Sequence, residues 1–164
     1  GLPQRSMLRS LAFQFSEDVS ASLEPGDLVL ENLTTTATID PGVMTLTYDS
    51  ATNTATWTFN FPGPFFESLP DGNYCATLPA AAVEDPGGNN PNADSLLAFH
   101  RVFGDRDGDT DVDFLDSIRF RTCFFAPPNC DFRFDVDSDT DVDFLDLINF
   151  GSRFPSQLAP VPCP

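Results

Sequence analysis

The first 98 residues alternate apolar side chains with smaller or polar ones over short stretches, and no window keeps the 3.6-residue period of an amphipathic helix for long. Alternation of this kind is typical of half-buried β-strands separated by turns rich in glycine, proline and asparagine. The predicted strands are residues 11–15, 28–30, 44–48, 57–61 and 74–78. We therefore expect an all-β sandwich or barrel, in which Trp57 belongs to the core rather than to a sugar-stacking platform.

The pattern changes beyond residue 98, where two short helical stretches each follow an acidic segment. Their apolar residues are Phe114, Leu115 and Ile118 in the first stretch and Phe144, Leu145 and Ile148 in the second. The sequence therefore predicts a mainly β protein with a small α part, divided into a sandwich at 1–98 and a second domain at 99–164. The polar turn at 86–94 is too short for a flexible tether, so the two domains are expected to touch.

The acidic segments are two copies of one 12-residue motif, at 105–116 and 135–146, offset by 30 residues and identical at all but the second and fourth positions. Each copy holds six aspartates, and together they contain twelve of the 25 acidic residues in the chain. Six carboxylates so close together repel each other, and a solvated acidic surface needs no fixed spacing. The duplicated spacing therefore points to a bound cation rather than to a metal-free acidic face.

The spacing matches the calcium loop of an EF-hand, which supplies oxygen ligands from positions 1, 3, 5, 7, 9 and 12 and uses its main-chain carbonyl at position 7. The ligands predicted in this way are Asp105, Asp107, Asp109, the main chain of Asp111, Asp113 and Asp116, and in the second loop Asp135, Asp137, Asp139, the main chain of Asp141, Asp143 and Asp146. The loops contain no cysteine or histidine, which disfavours zinc and copper. We expect two Ca²⁺ ions, whose binding also stabilises this half of the chain.

Position 6 of both loops departs from the usual pattern. Thr110 and Thr140 stand where glycine normally allows a positive φ. A β-branched residue in that conformation costs on the order of 1–3 kcal/mol. Either the affinity for calcium is lowered, or the loop turns slightly differently.

The charge balance narrows the range of partners and functions. The 164 residues hold 25 Asp and Glu against 8 basic residues, all of them arginine, for a formal net charge of -17. Such a surface repels phosphate, which disfavours nucleic acids and anionic membranes, and no apolar run approaches the roughly 20 residues that cross a bilayer. The single histidine, His100, lies among apolar residues and is interpreted as a partly buried, hydrogen-bonded side chain. Without a nucleophile elbow, phosphate loop or zinc spacing, we do not expect an enzyme.

Four cysteines suit two disulfides and an oxidising compartment. Cys123 and Cys130 bracket a short connector, which favours a local bond between them. By elimination Cys75 then pairs with Cys163 and ties the C-terminal segment to the first domain. The alternatives are that Cys75 and Cys163 are free thiols, or that Cys163 joins another chain.

Two features of the first half carry weaker predictions. Asn32 begins an N-glycosylation sequon, Asn-Leu-Thr. Asp85, Asn89 and Asp94 are polar residues of one turn and offer a third cation site, although a solvated turn is the favoured interpretation.

Three segments of the first half occur in a characteristic order: LAFQFSEDV at 11–19, LPDGNYCAT at 69–77 and VEDPGGN at 83–89. In this order they resemble the bacterial Ig-like domains of S-layer and other cell-surface proteins. The resemblance covers most of residues 8–90. It implies an Ig-like sandwich in an extracellular protein and implies no catalysis.

The pair of loop-and-helix units at 103–154 lacks an obvious entering helix and resembles a type I dockerin. The resemblance implies two calcium ions and duplicated helices that bind a cohesin partner. The recognition positions, commonly small and polar in dockerins, are Phe114-Leu115 and Phe144-Leu145 here. This departure predicts that the Phe-Leu pairs lie at a contact with the first domain or with another subunit. The combination of both resemblances is similar to the C-terminal tails of planctomycete-type surface proteins.

Together these features predict a non-enzymatic, calcium-binding structural protein, extracellular or at the cell surface, whose copies associate into a layer, fibre or matrix. The alternative is a docking module through which a cohesin-like partner anchors a larger secreted protein. Carbohydrate binding rests only on the aromatic residues of the sandwich. Solvent exposure discriminates among these functions, because burial of both Phe-Leu pairs argues against capture by a cohesin and exposure of Trp57 favours sugar binding.

Overall fold

The computed structural model describes residues 5–62, 67–125 and 132–164. Within these ranges the chain is mainly β, with two short α-helices and several single 3₁₀ turns. The strands are β1 (Ser10–Gln14), β2 (Val29–Asn32), β3 (Ala37–Thr38), β4 (Met44–Asp49), β5 (Thr54–Phe59), β6 (Gly72–Leu78), β7 (Ser95–Arg101), β8 (Asp111–Val112) and β9 (Ser156–Gln157), and the helices are α1 (Phe114–Phe125) and α2 (Phe144–Gly151).

The strands form three antiparallel sheets, in the orders β1-β5-β4, β3-β2-β6-β7 and β8-β9. The two larger sheets share one hydrophobic cluster, to which Trp57 and Phe59 contribute from β5 and Leu30 and Tyr74 from β2 and β6. Trp57 is fully buried, and its indole N–H donates to the Pro25 carbonyl at 3.2 Å. Its assignment to the core is confirmed, and the exposure of Trp57 that would have favoured carbohydrate binding is not found.

Each of the five predicted strands is present, whereas β3, β7, β8 and β9 were not predicted. β7 runs through Leu96, Leu97, Ala98 and Phe99, and this continuous apolar run lacks the alternation by which the other strands were found. The strand pairs with β6 along its whole length, so the second sheet continues to Arg101.

The C-terminal half, residues 102–164, has a separate hydrophobic cluster that contains four buried phenylalanines, Phe103, Phe120, Phe134 and Phe150. The rings of Phe120 and Phe150, which are equivalent positions of the repeat, stack with centroids 4.6 Å apart, and Phe134 packs edge-on against Phe120 at 5.3 Å. Met7 also belongs to this cluster and is 2% exposed. A residue of the N-terminal segment therefore completes the core that supports both acidic loops.

The two halves are joined by polar contacts as well. Asp71, just before β6, accepts hydrogen bonds from the side chains of Arg101 and Arg153 and from the backbone N–H of Phe103. Both guanidinium groups also lie over the Phe103 ring, at 5.8 and 5.6 Å. The fully buried Ser6 hydroxyl accepts from the Gly104 N–H at 2.8 Å. The halves are thus in direct contact.

A disulfide joins Cys75 of β6 to Cys163, the pairing that elimination favoured, and closes a sequence separation of 88 residues. The Asn73 side chain donates to the Ala159 carbonyl nearby, so the C-terminal segment lies along this sheet. Cys123 is also disulfide-bonded, while its predicted partner Cys130 lies outside the described residues. A disulfide fits a protein of a non-cytoplasmic compartment.

Asn32, the first residue of the glycosylation sequon, is 2% exposed. Its amide N–H₂ donates to the Tyr74 hydroxyl and the Asp71 carbonyl, and its Oδ1 accepts from the backbone of Thr34 and Thr35. The folded chain therefore uses this amide internally and does not offer it for glycosylation.

Candidate metal centre

The first and last aspartates of each acidic loop are buried. Asp105 and Asp146 are fully buried, Asp116 is 1% exposed and Asp135 is 5% exposed. In the first loop, the carboxylate of Asp105 accepts from the N–H groups of Gly108 and Thr110, and that of Asp116 accepts from those of Arg106 and Asp113. Backbone donors thus fix both carboxylates at the ends of the loop.

The second loop repeats this arrangement. Asp135 accepts from the N–H groups of Asp139 and Thr140, both at 3.1 Å, and Asp146 accepts from those of Val136 and Asp143 at 2.7 and 2.8 Å. The sequence repeat is therefore also a repeat of loop conformation.

Both threonines at loop position 6 adopt a positive φ, of 84° at Thr110 and 82° at Thr140. The backbone thus makes the turn for which glycine is normally used, in spite of the branched side chains. Position 4 is also left-handed, with φ 82° at Gly108 and 61° at Ser138. The conformational strain that the sequence predicted is present in both loops.

The carboxylates of each loop converge in groups of three whose oxygens lie within 4.8 Å of one another. The groups are Asp105, Asp107 and Asp116; Asp111, Asp113 and Asp116; Asp135, Asp137 and Asp146; and Asp139, Asp141 and Asp143. Eleven of the twelve predicted ligand residues belong to these groups, and Asp109, the remaining one, accepts from the Asp111 N–H. The carboxylates of Asp111 and Asp141 take part, whereas the sequence assigned these residues a main-chain role.

Two oxygens of these groups stand out because they are buried and lack a hydrogen-bond partner. They are Oδ1 of Asp111 and Oδ1 of Asp137, one in each loop. An unsatisfied carboxylate oxygen shielded from water is costly. All donor atoms in the groups are hard carboxylate oxygens, which are the ligands preferred by hard divalent cations.

The electrostatics of the loops disfavour full ionisation. Burial raises the pKa of Asp116 to about 6 and that of Asp146 to about 6, and the neighbouring aspartates add to both shifts. Burial is also the main cause of the raised pKa of Asp107, Asp111 and Asp135, with a further contribution from nearby carboxylates. Positive charge in the loops would relieve this crowding.

His100 contacts the first loop, a feature that the sequence reading missed. Its Nε2 lies 2.7 Å from Oδ2 of Asp105, and its side chain is 12% exposed. The histidine is partly buried and hydrogen-bonded, as expected, but its partner is a predicted calcium ligand. The sequence could have indicated this contact, because His100 lies at the end of β7 and the first loop begins only four residues after the strand.

The outer faces of the two helices are exposed to solvent. The apolar residues on them and their exposed fractions are Phe114 67%, Leu115 58% and Ile118 46% on α1, and Phe144 66%, Leu145 40% and Ile148 53% on α2. Of the two contacts predicted for the Phe-Leu pairs, burial against the first domain is contradicted by this exposure, because the helices contact the rest of the chain through the opposite side, which carries Phe120 and Phe150. The other, a contact with another subunit, stays a prediction. Both faces are free for contact with another molecule.

The turn at 86–94 is internally satisfied. The Asp85 carboxylate accepts from the N–H groups of Gly87 and Asn89 and from the Asn89 side chain, and Asp94 accepts from the Ala80 N–H. These bonds lower the pKa of Asp85, with the Asn89 side chain as the largest cause. The exposed turn is thus held together by its own polar side chains, and a solvated turn rather than a third cation site stays a prediction.

Neither described helix is long and apolar enough to cross a membrane. No protein-family model matches this chain, and no curated protein or solved structure shows significant similarity to it.

Proposed function

We propose that this chain is a non-enzymatic, calcium-stabilised structural module of an extracellular or surface protein, which contacts other protein molecules through the exposed faces of α1 and α2. The observation that carries the proposal is the convergence of repeated carboxylates at 105–116 and 135–146, of which the first and last in each loop are buried. Such groups are unfavourable without a cation and favourable around one.

Calcium suits these loops better than other cations. The aspartates of each twelve-residue loop offer six or more oxygens, and Ca²⁺ takes six to eight oxygen ligands. Ca²⁺ also tolerates the irregular coordination geometry that such a loop provides. Magnesium requires a near-ideal octahedron and retains water. The unpartnered oxygens of Asp111 and Asp137 are the atoms of this structure for which a cation supplies the missing partner.

Calcium binding has a direct consequence for α1 and α2. Asp116 and Asp146 are the last residues of the loops and also lie in the first turns of the helices. A cation held by these residues fixes where each helix begins and neutralises crowded charge beside it. The helix faces are therefore expected to be well ordered only when calcium is bound.

The test is a comparison of wild type with a variant of each loop, Asp105→Asn and Asp135→Asn, by calorimetric titration with Ca²⁺ and with Mg²⁺ after chelator treatment. Wild type is expected to bind two Ca²⁺, to bind Mg²⁺ more weakly, and to unfold at higher temperature when calcium is present. Each variant is expected to lose one site. Equal stability of wild type in calcium and in chelator would refute the proposal.

The resemblance to dockerins suggests a second candidate, in which the partner is a cohesin-like receptor. The exposure of both Phe-Leu pairs favours this candidate over a purely internal role. Its binding surface would differ from that of dockerins with small polar residues at these positions. Copurification of the chain with a cohesin-like protein from its own source, lost on chelation, would favour this candidate.

A further inference from the structure

The faces of α1 and α2 are alike in their apolar residues but differ in charge. Residues 114, 115 and 118 are the same as residues 144, 145 and 148, whereas Arg119 and Arg121 of α1 correspond to Asn149 and Gly151 of α2. Both arginines are exposed, and among the described residues neither forms an ion pair. The α1 face, defined as Phe114, Leu115, Ile118, Arg119 and Arg121, is therefore apolar and basic.

The α2 face, defined as Phe144, Leu145 and Ile148, is apolar and lies beside acidic groups. Asp139, Asp141 and Asp143 of the preceding loop are all exposed. The six aspartates of this loop outweigh the two positive charges of one calcium ion, so the surroundings of the α2 face remain acidic when the site is filled.

The first loop is less open than the second. Its residues Asp111–Val112 form β8, which pairs with β9 of the C-terminal segment, and the Leu158 N–H donates to the Thr110 carbonyl at 2.8 Å. The first loop still exposes Asp107 and Asp109, against Asp139, Asp141 and Asp143 in the second. The acidic surface next to an apolar helix face is thus better developed at α2, whereas α1 carries two arginines and α2 carries none.

We propose that the α1 face of one copy packs against the α2 face of a second copy. The apolar residues of the two faces then cover each other, while Arg119 and Arg121 approach the exposed aspartates of the partner copy's second loop. Pairing of like faces would instead bring arginine to arginine or aspartate to aspartate, which is repulsive. The charge difference between the two helices therefore selects α1 against α2.

This inference rests on the proposed function, because calcium is required to order the faces. A contact between two short helices lies at the small end of protein interfaces, and we expect a dissociation constant on the order of micromolar to tens of micromolar. Two copies form a closed dimer with two such contacts, or many copies form an open chain with one contact between neighbours. In both assemblies the α1 face of one copy packs against the α2 face of another.

The test uses two matched variants of equivalent residues, Ile118→Glu and Ile148→Glu, whose association is measured by light scattering and sedimentation in millimolar calcium. Wild type is expected to associate, and each variant alone is expected to associate at least about 10-fold more weakly. An equal mixture is expected to form heterodimers, because one variant retains an intact α2 face and the other an intact α1 face. Leu96→Glu, at an exposed position of β7, is the control and should associate as wild type does.

The charge component is tested with Arg119→Glu combined with Arg121→Glu. This variant is expected to behave like Ile118→Glu, and association of wild type should weaken as salt is raised. Loss of association in only one of the isoleucine variants would indicate pairing of like faces and overturn the inference, as would a mixture that stays monomeric.

Calcium titration of every variant separates the two proposals. A wild type that binds two calcium ions but stays monomeric at high concentration overturns self-association and leaves the calcium proposal intact. A wild type that binds no calcium overturns the proposed function itself.

Discussion

Replacement of Asp116 by asparagine should have opposite effects with and without calcium. At pH 7.5 the buried carboxylate is ionised although burial raises its pKa to about 6. A shift of about two units from the ordinary value means that ionisation costs the metal-free fold about 3 kcal/mol. Asp116→Asn removes this cost.

The substitution also removes one acceptor. The carboxylate accepts from the N–H groups of Arg106 and Asp113, and an amide offers only one oxygen to these two donors. One unsatisfied N–H costs about 1–3 kcal/mol. In chelator the variant should therefore be as stable as wild type, or more stable by up to about 2 kcal/mol.

In calcium the order should reverse. With free calcium at about 1,000 times the dissociation constant, an intact site contributes about 4 kcal/mol of stability, and Asp116→Asn should lose most of it. Urea unfolding of wild type and of Asp116→Asn, each in chelator and in calcium at pH 7.5, gives the four free energies of unfolding that the comparison needs. Glu17→Gln, which makes the same charge change at an exposed position outside the loops, should not alter the free energy of unfolding in either solution. A variant destabilised by the same amount in both solutions would show that Asp116 has only a structural role and would refute the reasoning.

Three further predictions concern pH, strain and the N-terminal segment. Between pH 3.8 and about 6 the metal-free fold holds more protons on Asp116 and Asp146 than the unfolded chain does, because the pKa of both is raised to about 6 in the fold. As pH falls from 7.5 to 5.5, the stability of the metal-free fold should therefore rise, and its affinity for calcium should weaken about 4-fold per site in a titration. The opposite trends would contradict the raised pKa values. Thr140→Gly, which relieves a φ of 82°, should stabilise the protein by about 1 kcal/mol in thermal unfolding, and a fall in melting temperature would count against strain at this position. Met7→Ala should cost about 2–4 kcal/mol and weaken calcium binding, because Met7 lies in the core behind the loops; unchanged calcium affinity would mean that the N-terminal segment does not support them.

The features predictable from the sequence were those with a regular period. Alternation located strands such as β5, and the 30-residue repeat located both loops and the helices that follow them. The positive φ at Thr110 and Thr140 was also predictable, because the loop needs a left-handed turn at that position whichever residue occupies it. Local patterns of this kind report local backbone geometry.

Contacts between distant residues were not predictable in the same way. Met7 reaches the second core, and His100 reaches Asp105, because β7 ends where the first loop begins. The sequence also left open whether Phe114 and Phe144 contact the first domain or another subunit, because the packing of Phe120 on Phe150 decides which side of each helix faces inward. These contacts depend on how the strands, loops and helices pack together, which local patterns in a single sequence do not reveal.

The most direct test of the central claim is calorimetric titration of the chelator-treated wild-type chain with calcium. We predict saturable binding of two Ca²⁺ ions per chain, reversed by chelator. No binding, or a stoichiometry unchanged by Asp105→Asn and Asp135→Asn, would contradict the assignment of the repeated aspartates as two calcium sites.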